Sequence, residues 1–354
     1  MKVAFITLYS KHNYGAVLQK YATYQFLKDN CDESILIDYK PKKYKKSDIK
    51  SLFKDLLILP RIIKFSKFEK THFIKRTIKY TFYKELLKSP PQSDIYIVGS
   101  DQVWNSKLTW NDDMTKKCLN PAYFLDFVEN GIKISYSSSI GNEDILESER
   151  SYFKEKLSKF NHISVREESA KTLLENAGIS NVKVTLDPVF LLSKKEYYKL
   201  VKKIKHNKYL LIYSAEKSCT INTIAKNIAK EKGLQIIELG NYFKNYDSNV
   251  FLNNIGIEDF ISYFYNADYI VTSSFHGLAF SLIFEKQFIA VKPYERSTRL
   301  ENLVAKAGLS NRLLVEASTN YNDLINYDIV RNNLFLEIES SKEYLINSIY
   351  GKNI

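Results

Sequence analysis

Short apolar runs recur along the whole of this 354-residue chain, and most are followed at once by a polar loop and then by a stretch with helical spacing. The runs fall at 3–8, 34–38, 94–98, 133–137, 163–165 and 182–186, and again at 209–213, 234–239, 269–272 and 288–291. A strand covered on both faces reads as a continuous apolar run, so the pattern predicts parallel sheets sandwiched between helices. Helices are expected at 16–28, where Val17, Leu18, Tyr21, Tyr24 and Leu27 lie near one face, and at 143–160, 221–232, 257–265, 298–307 and 328–350. Gly233 suits the stop of the 221–232 helix. The basic stretch 195–208 has no Gly or Pro and is expected to be a helix carrying the crossover between halves. At roughly 100–200 residues per domain the length allows two. The expectation is an α/β chain of two Rossmann-like domains facing across a cleft. Residues 1–203 form the first and 204–354 the second, with the C-terminal helix free to return to the first.

Composition narrows the function. With 45% hydrophobic and 26% charged residues, the chain is an ordinary globular protein. Its three cysteines, Cys31, Cys118 and Cys219, are scattered and form no Cys-x-x-Cys pair, against both a disulfide framework and a zinc site. His12, His72, His162 and His206 lack metal-ligand spacing, so no metal is expected. The run 2–8 is too short for a signal peptide, and nothing approaches the roughly 20 apolar residues of a membrane span. A cytoplasmic protein is expected, with the inner face of the membrane as one place for it. The net charge of +12 is densest at 40–79, where lysines and arginines interleave with Leu52, Phe53, Leu56, Leu57, Ile58, Ile62 and Ile63. That pattern fits amphipathic helices with a solvated basic face, or a segment meeting an anionic membrane or lipid-linked substrate. Nucleic acid would need a recognition module, and the sequence carries none.

In open α/β sheets ligands sit beyond the carboxyl ends of the strands, so the loops after strands carry the candidates. The first is Ser10-Lys11-His12-Asn13-Tyr14-Gly15-Ala16. Gly15 permits close backbone approach, and the helix behind it favours anions; a plain strand-to-helix turn is the alternative. The second is Gly99-Ser100-Asp101-Gln102-Val103-Trp104-Asn105. Its carboxylate and amides match sugar hydroxyls and its indole can stack on a sugar ring. Equally, Trp104 can be core and Asp101 a helix cap. The third places Arg166 where a strand gives way to a helix, either clamping a phosphate or carboxylate or paired with Glu167 or Glu168. The fourth is Thr272-Ser273-Ser274-Phe275-His276-Gly277. Here His276 starts a helix and can bind an oxyanion or move a proton near neutral pH. Lys292, Arg296 and Arg299 form a cationic rim downstream, or a solvated loop. No Gly-x-Gly-x-x-Gly, P-loop or Gly-x-Ser-x-Gly motif occurs.

Taken in order, these motifs resemble the polysaccharide pyruvyl transferase family. The resemblance is carried by Asn13-Tyr14-Gly15-Ala16, Val98-Gly99-Ser100-Asp101-Gln102-Val103-Trp104-Asn105, Ser135-Tyr136-Ser137-Ser138-Ser139-Ile140-Gly141, Ser164-Val165-Arg166-Glu167, Leu186-Asp187-Pro188-Val189-Phe190-Leu191 and Ser273-Ser274-Phe275-His276-Gly277. It implies a GT-B-like fold and transfer of pyruvate from phosphoenolpyruvate, as co-substrate without further cofactor, onto two hydroxyls of a sugar as a cyclic ketal. The sugar would belong to a surface polysaccharide or its lipid-linked precursor. The family's arginine after the middle strand matches Arg166, and the His of its Arg-x-His pair matches His276. The Arg of that pair is Ser274 here, a departure that Lys292, Arg296 or Arg299 would have to offset. The implied assignment places Arg166, His276, Ser274, Lys292, Arg296 and Arg299 on the donor. Asp101 is the base toward the acceptor, and Asn13, Tyr14, Gln102, Trp104 and Asn105 orient the sugar. Two other functions fit such a chain. One is a nucleotide-sugar-dependent GT-B-type glycosyltransferase, told apart by which ligand raises its stability. The other is a non-catalytic glycan- or anion-binding protein, told apart by binding without phosphate release.

Overall fold

The computed structural model describes residues 1–10, 12–41, 53, 56–109, 118–141, 144–214, 216–240, 242–293, 298–317, 321 and 323–351. The chain divides into two compact units, each discontinuous in sequence. The first combines Met1–Lys46, Lys70–Leu191 and Glu337–Ile354, and the second combines Ser47–Glu69 and Leu192–Leu336.

The first unit holds a parallel sheet of β1 (Lys2–Ile6), β2 (Glu33–Leu36), β3 (Ile95–Val98), β4 (Ile132–Ser138), β5 (His162–Val165) and β6 (Val182–Val184), in the order β2-β1-β3-β4-β5-β6. The sequence Ile-Tyr-Ile-Val of β3 is buried at every position, as expected of a central strand with helices on both faces. The helix Tyr14–Asn30 follows β1, and Glu147–Leu157 and Glu168–Asn176 follow β4 and β5. The last turns of the long helix Tyr327–Tyr350 close the unit. There Ser341 Oγ accepts from Leu186 N (2.9 Å), and Tyr344 Oη donates to Ser135 O (3.1 Å).

The second unit repeats the plan with β7 (Tyr209–Tyr213), β8 (Gln235–Leu239), β9 (Val250–Leu252), β10 (Tyr269–Thr272), β11 (Gln287–Val291) and β12 (Leu313–Leu314), all parallel, in the order β12-β11-β10-β7-β8-β9. The helix Cys219–Lys232 stops at Gly233, whose φ of 62° is the left-handed conformation glycine adopts freely. In each sheet the strand order reverses beside the first strand, between β1 and β3 and between β7 and β10. Such a switch point leaves a crevice at the carboxyl ends of the strands. The loops after β1 and β3, and after β7 and β10, are therefore the ones the topology brings to these crevices.

Two expectations need correction. The helix expected over 195–208 covers only Lys194–Tyr198. Beyond it Lys199, Lys202, Lys203 and Lys205 crowd like charges together, and the Lys202 N–H is taken by Ser262 Oγ at 2.8 Å. The basic region 40–79 is not helical throughout. A helix spans Leu59–His72, after which the chain extends and bridges Arg76 to Leu36 and Tyr80 to Tyr39. Residues 42–52, 54 and 55 of that region lie outside the described residues.

Candidate active site

In the first unit the switch-point loops form a buried polar network. Thr7, just past β1, donates through Oγ1 to Ser100 O at 2.8 Å and accepts from Gln19 Nε2 at 2.9 Å, which ties the β1 and β3 loops together. Asn13 caps the helix Tyr14–Asn30, its Oδ1 accepting from Ala16 N at 3.1 Å, and its side chain is exposed. Tyr14 is buried within that helix.

Asp101 stands at the end of β3 with φ 76°, a left-handed conformation rare for a residue with a side chain. Its carbonyl accepts from Val103 N and Ser139 N (2.8 and 3.0 Å), and its Oδ1 accepts from Gln102 N at 2.9 Å. These bonds fix the carboxylate at the strand end. Gln102 is buried against Gly141, where a Cβ would lie 2.4 Å from Gln102 Cδ. Gln102 Oε1 accepts from Asn105 Nδ2 at 3.0 Å, so the two amides expected to meet a sugar bond each other. Trp104 belongs to the core instead of a sugar platform. It is 1% exposed, stacks on Phe124, and donates its Nε1 proton to Tyr123 O at 2.9 Å. A large apolar ring with one polar atom is most stable where both needs are met, and the interior meets them here.

Arg166 follows β5 as expected, and it is an ion-paired residue. Its Nη1 donates to Asp187 Oδ2 at 2.9 Å and its Nε faces Glu167 Oε2 at 3.4 Å, with the side chain 2% exposed. Burial alone would push its pKa down. The charges of Glu167, Asp187 and Asp101 more than reverse that and hold it above the ordinary arginine value. Asp187 is held in turn by Ser100 Oγ at 3.1 Å and Val189 N at 3.1 Å, and Ser139 Oγ donates to Glu167. Asp187 and Glu167 were not among the expected site residues. Asp187 stands in the loop just after β6, three residues past Val184, so the strand-end rule that picked Asp101 and Arg166 was signal enough to find it.

In the second unit the loops after β7 and β10 carry mostly hydroxyls. Thr272 Oγ1 donates to Tyr213 O at 2.6 Å and accepts from Ser274 N at 3.1 Å. Ser274 occupies the N-cap of the helix Phe275–Ile283 in extended conformation, and its side chain makes no capping bond to the helix. Ser273 Oγ lies 3.0 Å from Ser214 Oγ, which accepts from Tyr246 Oη at 2.8 Å. His276 is half-buried in the first turn of that helix, with Phe275 edge-on at 5.3 Å. Gly277 is required by close packing: a Cβ there would lie 2.1 Å from Thr272 Oγ1. The free N–H groups of a helix start carry partial positive charge, so this corner favours an anion.

Of the cationic rim, Lys292 is paired with Glu301 at 2.6 Å, and Arg299 lies on the helix Thr298–Lys306. Arg296 lies outside the described residues. Among the described residues no cluster of three or more His, Cys, Asp or Glu could hold a metal ion, and no helix is long and apolar enough to cross a membrane.

Solved structures with the same fold include UDP-N-acetylglucosamine 2-epimerases. One of them has TM-score 0.53 and 14% identity over 99% of this chain and 96% of that one. The enzyme from Rickettsia bellii has TM-score 0.52 and 12% identity over 99% and 100%. That from Methanocaldococcus jannaschii has TM-score 0.51 and 12% identity over 99% and 100%. At such identities the likeness concerns the fold alone, which is GT-B-like. No curated protein matches the sequence. The family model "Polysaccharide pyruvyl transferase" matches residues 13–293, a span that takes in the Asp101, Arg166 and His276 loops. This chain belongs to the polysaccharide pyruvyl transferase family.

Proposed function

We propose that this transferase moves the pyruvyl group of phosphoenolpyruvate onto two hydroxyls of a sugar in a surface polysaccharide or its lipid-linked precursor. The family match over residues 13–293 carries the proposal. The reaction needs three things: a proton for the methylene carbon, a base for the sugar hydroxyls, and positive charge for the phosphate and carboxylate. Protonation of the methylene turns C2 into an oxocarbenium-like centre, to which one hydroxyl oxygen adds. The C2–O bond to phosphate breaks, the second hydroxyl oxygen closes the ketal, and inorganic phosphate leaves. One hydroxyl proton replaces the proton consumed at the methyl group and the other departs with phosphate, so no redox partner is involved.

The first unit is assigned to the acceptor and the second to the donor. Asp101, pinned by Gln102 N and Ser139 N, is the base toward a sugar hydroxyl. Asn13 lies exposed beside the same switch point and is assigned to orient the sugar. His276 and the helix start behind it are assigned to the donor's phosphate. Arg166 gives the first unit a cation already oriented by Asp187 and Glu167. The charges of Glu167, Asp187 and Asp101 all act on this one guanidinium, so the Arg166 corner has no positive charge to spare and the donor's anion falls to the second unit.

Phe53, Leu56, Leu59 and Ile63 are 56, 65, 46 and 59% exposed in a segment rich in lysine. Exposed apolar groups among cations suit an anionic bilayer surface, which is where a lipid-linked acceptor would be met. Co-sedimentation with phosphatidylglycerol vesicles, set against neutral vesicles, tests this: binding to the anionic set alone is expected, and equal or no binding refutes it. For the donor, thermal unfolding with phosphoenolpyruvate against UDP- and CDP-sugars is decisive, because a ligand of the folded state raises its apparent stability. Phosphoenolpyruvate should raise the midpoint of the wild type and not of His276→Ala. A rise with a nucleotide sugar alone overturns the proposal.

A further inference from the structure

The first unit holds its assigned base against a chain of buried hydrogen bonds. Thr7 lies one residue past β1 and is buried, and Gln19, on the helix Tyr14–Asn30, is buried completely. Gln19 Nε2 uses both of its protons, one on Ala16 O at 3.1 Å and one on Thr7 Oγ1 at 2.9 Å. A threonine hydroxyl has a single proton, and with the amide donating to its oxygen that proton points to Ser100 O, 2.8 Å away. The approach is close because position 99 is glycine: a Cβ there would lie 3.3 Å from Thr7 Cβ. The Ser100 side chain is held as well, its Oγ donating to Asp187 Oδ2 at 3.1 Å. Next in the chain comes Asp101, only half-buried.

The Ser100 carbonyl belongs to the peptide that ends at Asp101 N, and φ of Asp101 is the rotation about the next bond. The peptide on the other side is held too, since Asp101 O accepts from Val103 N and Ser139 N at 2.8 and 3.0 Å. With both peptides fixed, φ stays at 76°, a conformation that is costly for a residue with a Cβ and persists where its surroundings over-determine it. The anchor before Asp101 is made by a side chain, so a single substitution releases it. The backbone is then able to relax to negative φ, and the carboxylate turns with it. We propose that Thr7, its hydroxyl aimed by Gln19, is a positioning residue for the base: by holding the Ser100 carbonyl it keeps Asp101 in the left-handed conformation that presents its carboxylate to the sugar hydroxyl. The inference rests on Asp101 being the base of the pyruvyl transfer.

Two measurements on the full chain test it. Steady-state phosphate release from phosphoenolpyruvate, with a sugar acceptor present, separates kcat from the donor KM. Thr7→Val keeps the shape and removes the hydroxyl. It is expected to lower kcat by about ten- to a hundredfold, the range that a displacement of about 1 Å costs, with the donor KM near wild type. Thr7→Ser restores the hydroxyl and should recover most of the rate. Thr23→Val is the control: that hydroxyl is also buried, on the same helix as Gln19, but it bonds the Gln19 carbonyl at 2.9 Å, and its loss should leave kcat unchanged. The second measurement is the urea midpoint of unfolding, which needs no substrate. In wild type, Thr7→Val loses a hydrogen bond but lets Asp101 leave its strained backbone; in Asp101→Gly there is no strain to leave. Thr7→Val should therefore lower the midpoint less in wild type than in Asp101→Gly. If Thr7→Val does not fold, Gln19→Met, which keeps Thr7 but frees its proton, replaces it in both measurements with the same signs expected. Wild-type kcat in the variant, or equal midpoint losses in the two backgrounds, overturns the inference while leaving Asp101 as the base. A wild type that releases no phosphate with any acceptor overturns the pyruvyl-transfer reading and the catalytic part of the inference with it; the midpoints then still decide whether Thr7 holds Asp101.

Discussion

Asp101 pays for its position with a left-handed backbone, φ 76°, that glycine would adopt without strain. Strain of this kind persists where surrounding bonds over-determine it, and such residues cluster at functional sites. Asp101→Gly is therefore expected to raise stability by about 1 kcal/mol while lowering turnover by at least about a hundredfold through loss of the base. Thermal melts and phosphate-release rates on the same sample check both halves; lower stability with intact turnover contradicts the assignment. The Arg166–Asp187 pair makes the opposite prediction. Both side chains are within 2% of fully buried, so Asp187→Ala leaves the guanidinium to the longer Glu167 contact alone and is expected to cost about 3 kcal/mol in denaturant unfolding. A loss below about 1 kcal/mol, the range of exposed ion pairs, would show the pair to be solvated in solution.

At the scale of elements, the turn from β10 into the helix Phe275–Ile283 depends on one missing methyl group. Gly277→Ala would set a Cβ 2.1 Å from Thr272 Oγ1, the atom that also bonds Tyr213 O and Ser274 N. It is expected to destabilise the protein by about 1–3 kcal/mol through overpacking. Gly277→Ala/Thr272→Ala should lose less than the two single changes summed, because the clash is removed with the hydroxyl. Additive losses would place the strain elsewhere. This turn was legible in the sequence because a buried strand, a run of small residues and a helix follow one another without a gap. The strands Tyr209–Tyr213 and Tyr269–Thr272 were read with their observed limits, since both are apolar runs with sharp polar edges. The edge strands Val250–Leu252 and Leu313–Leu314 were not, because they are short and only partly buried and so leave no pattern. Strand-end loops gave the right neighbourhoods for Asp101, Arg166 and His276. The interior use of Trp104 and the Gln102–Asn105 bond were illegible, because residue type alone does not tell an indole or amide facing a ligand from one satisfied inside.

For the whole molecule, what matters is that neither unit is continuous in sequence. The last turns of Tyr327–Tyr350 complete the first unit, burying Tyr344, Leu345 and Ile349 and bonding to Leu186, Ser135 and Asn30. Truncation after Leu336 is expected to strip protection from amide exchange in β4 and β6 while sparing β7 and β10. Equal loss in both sheets would contradict that division. The central claim, a ketal-forming pyruvyl transfer, is tested most directly by product analysis. The full chain is incubated with phosphoenolpyruvate and a panel of galactose- and mannose-type acceptors, and released phosphate and sugar-bound pyruvate are both counted. Phosphate and ketal-linked pyruvate in equal amounts, both lost in His276→Ala, are predicted. Absence of phosphate release with every acceptor, alongside turnover of a UDP- or CDP-sugar, would contradict the account.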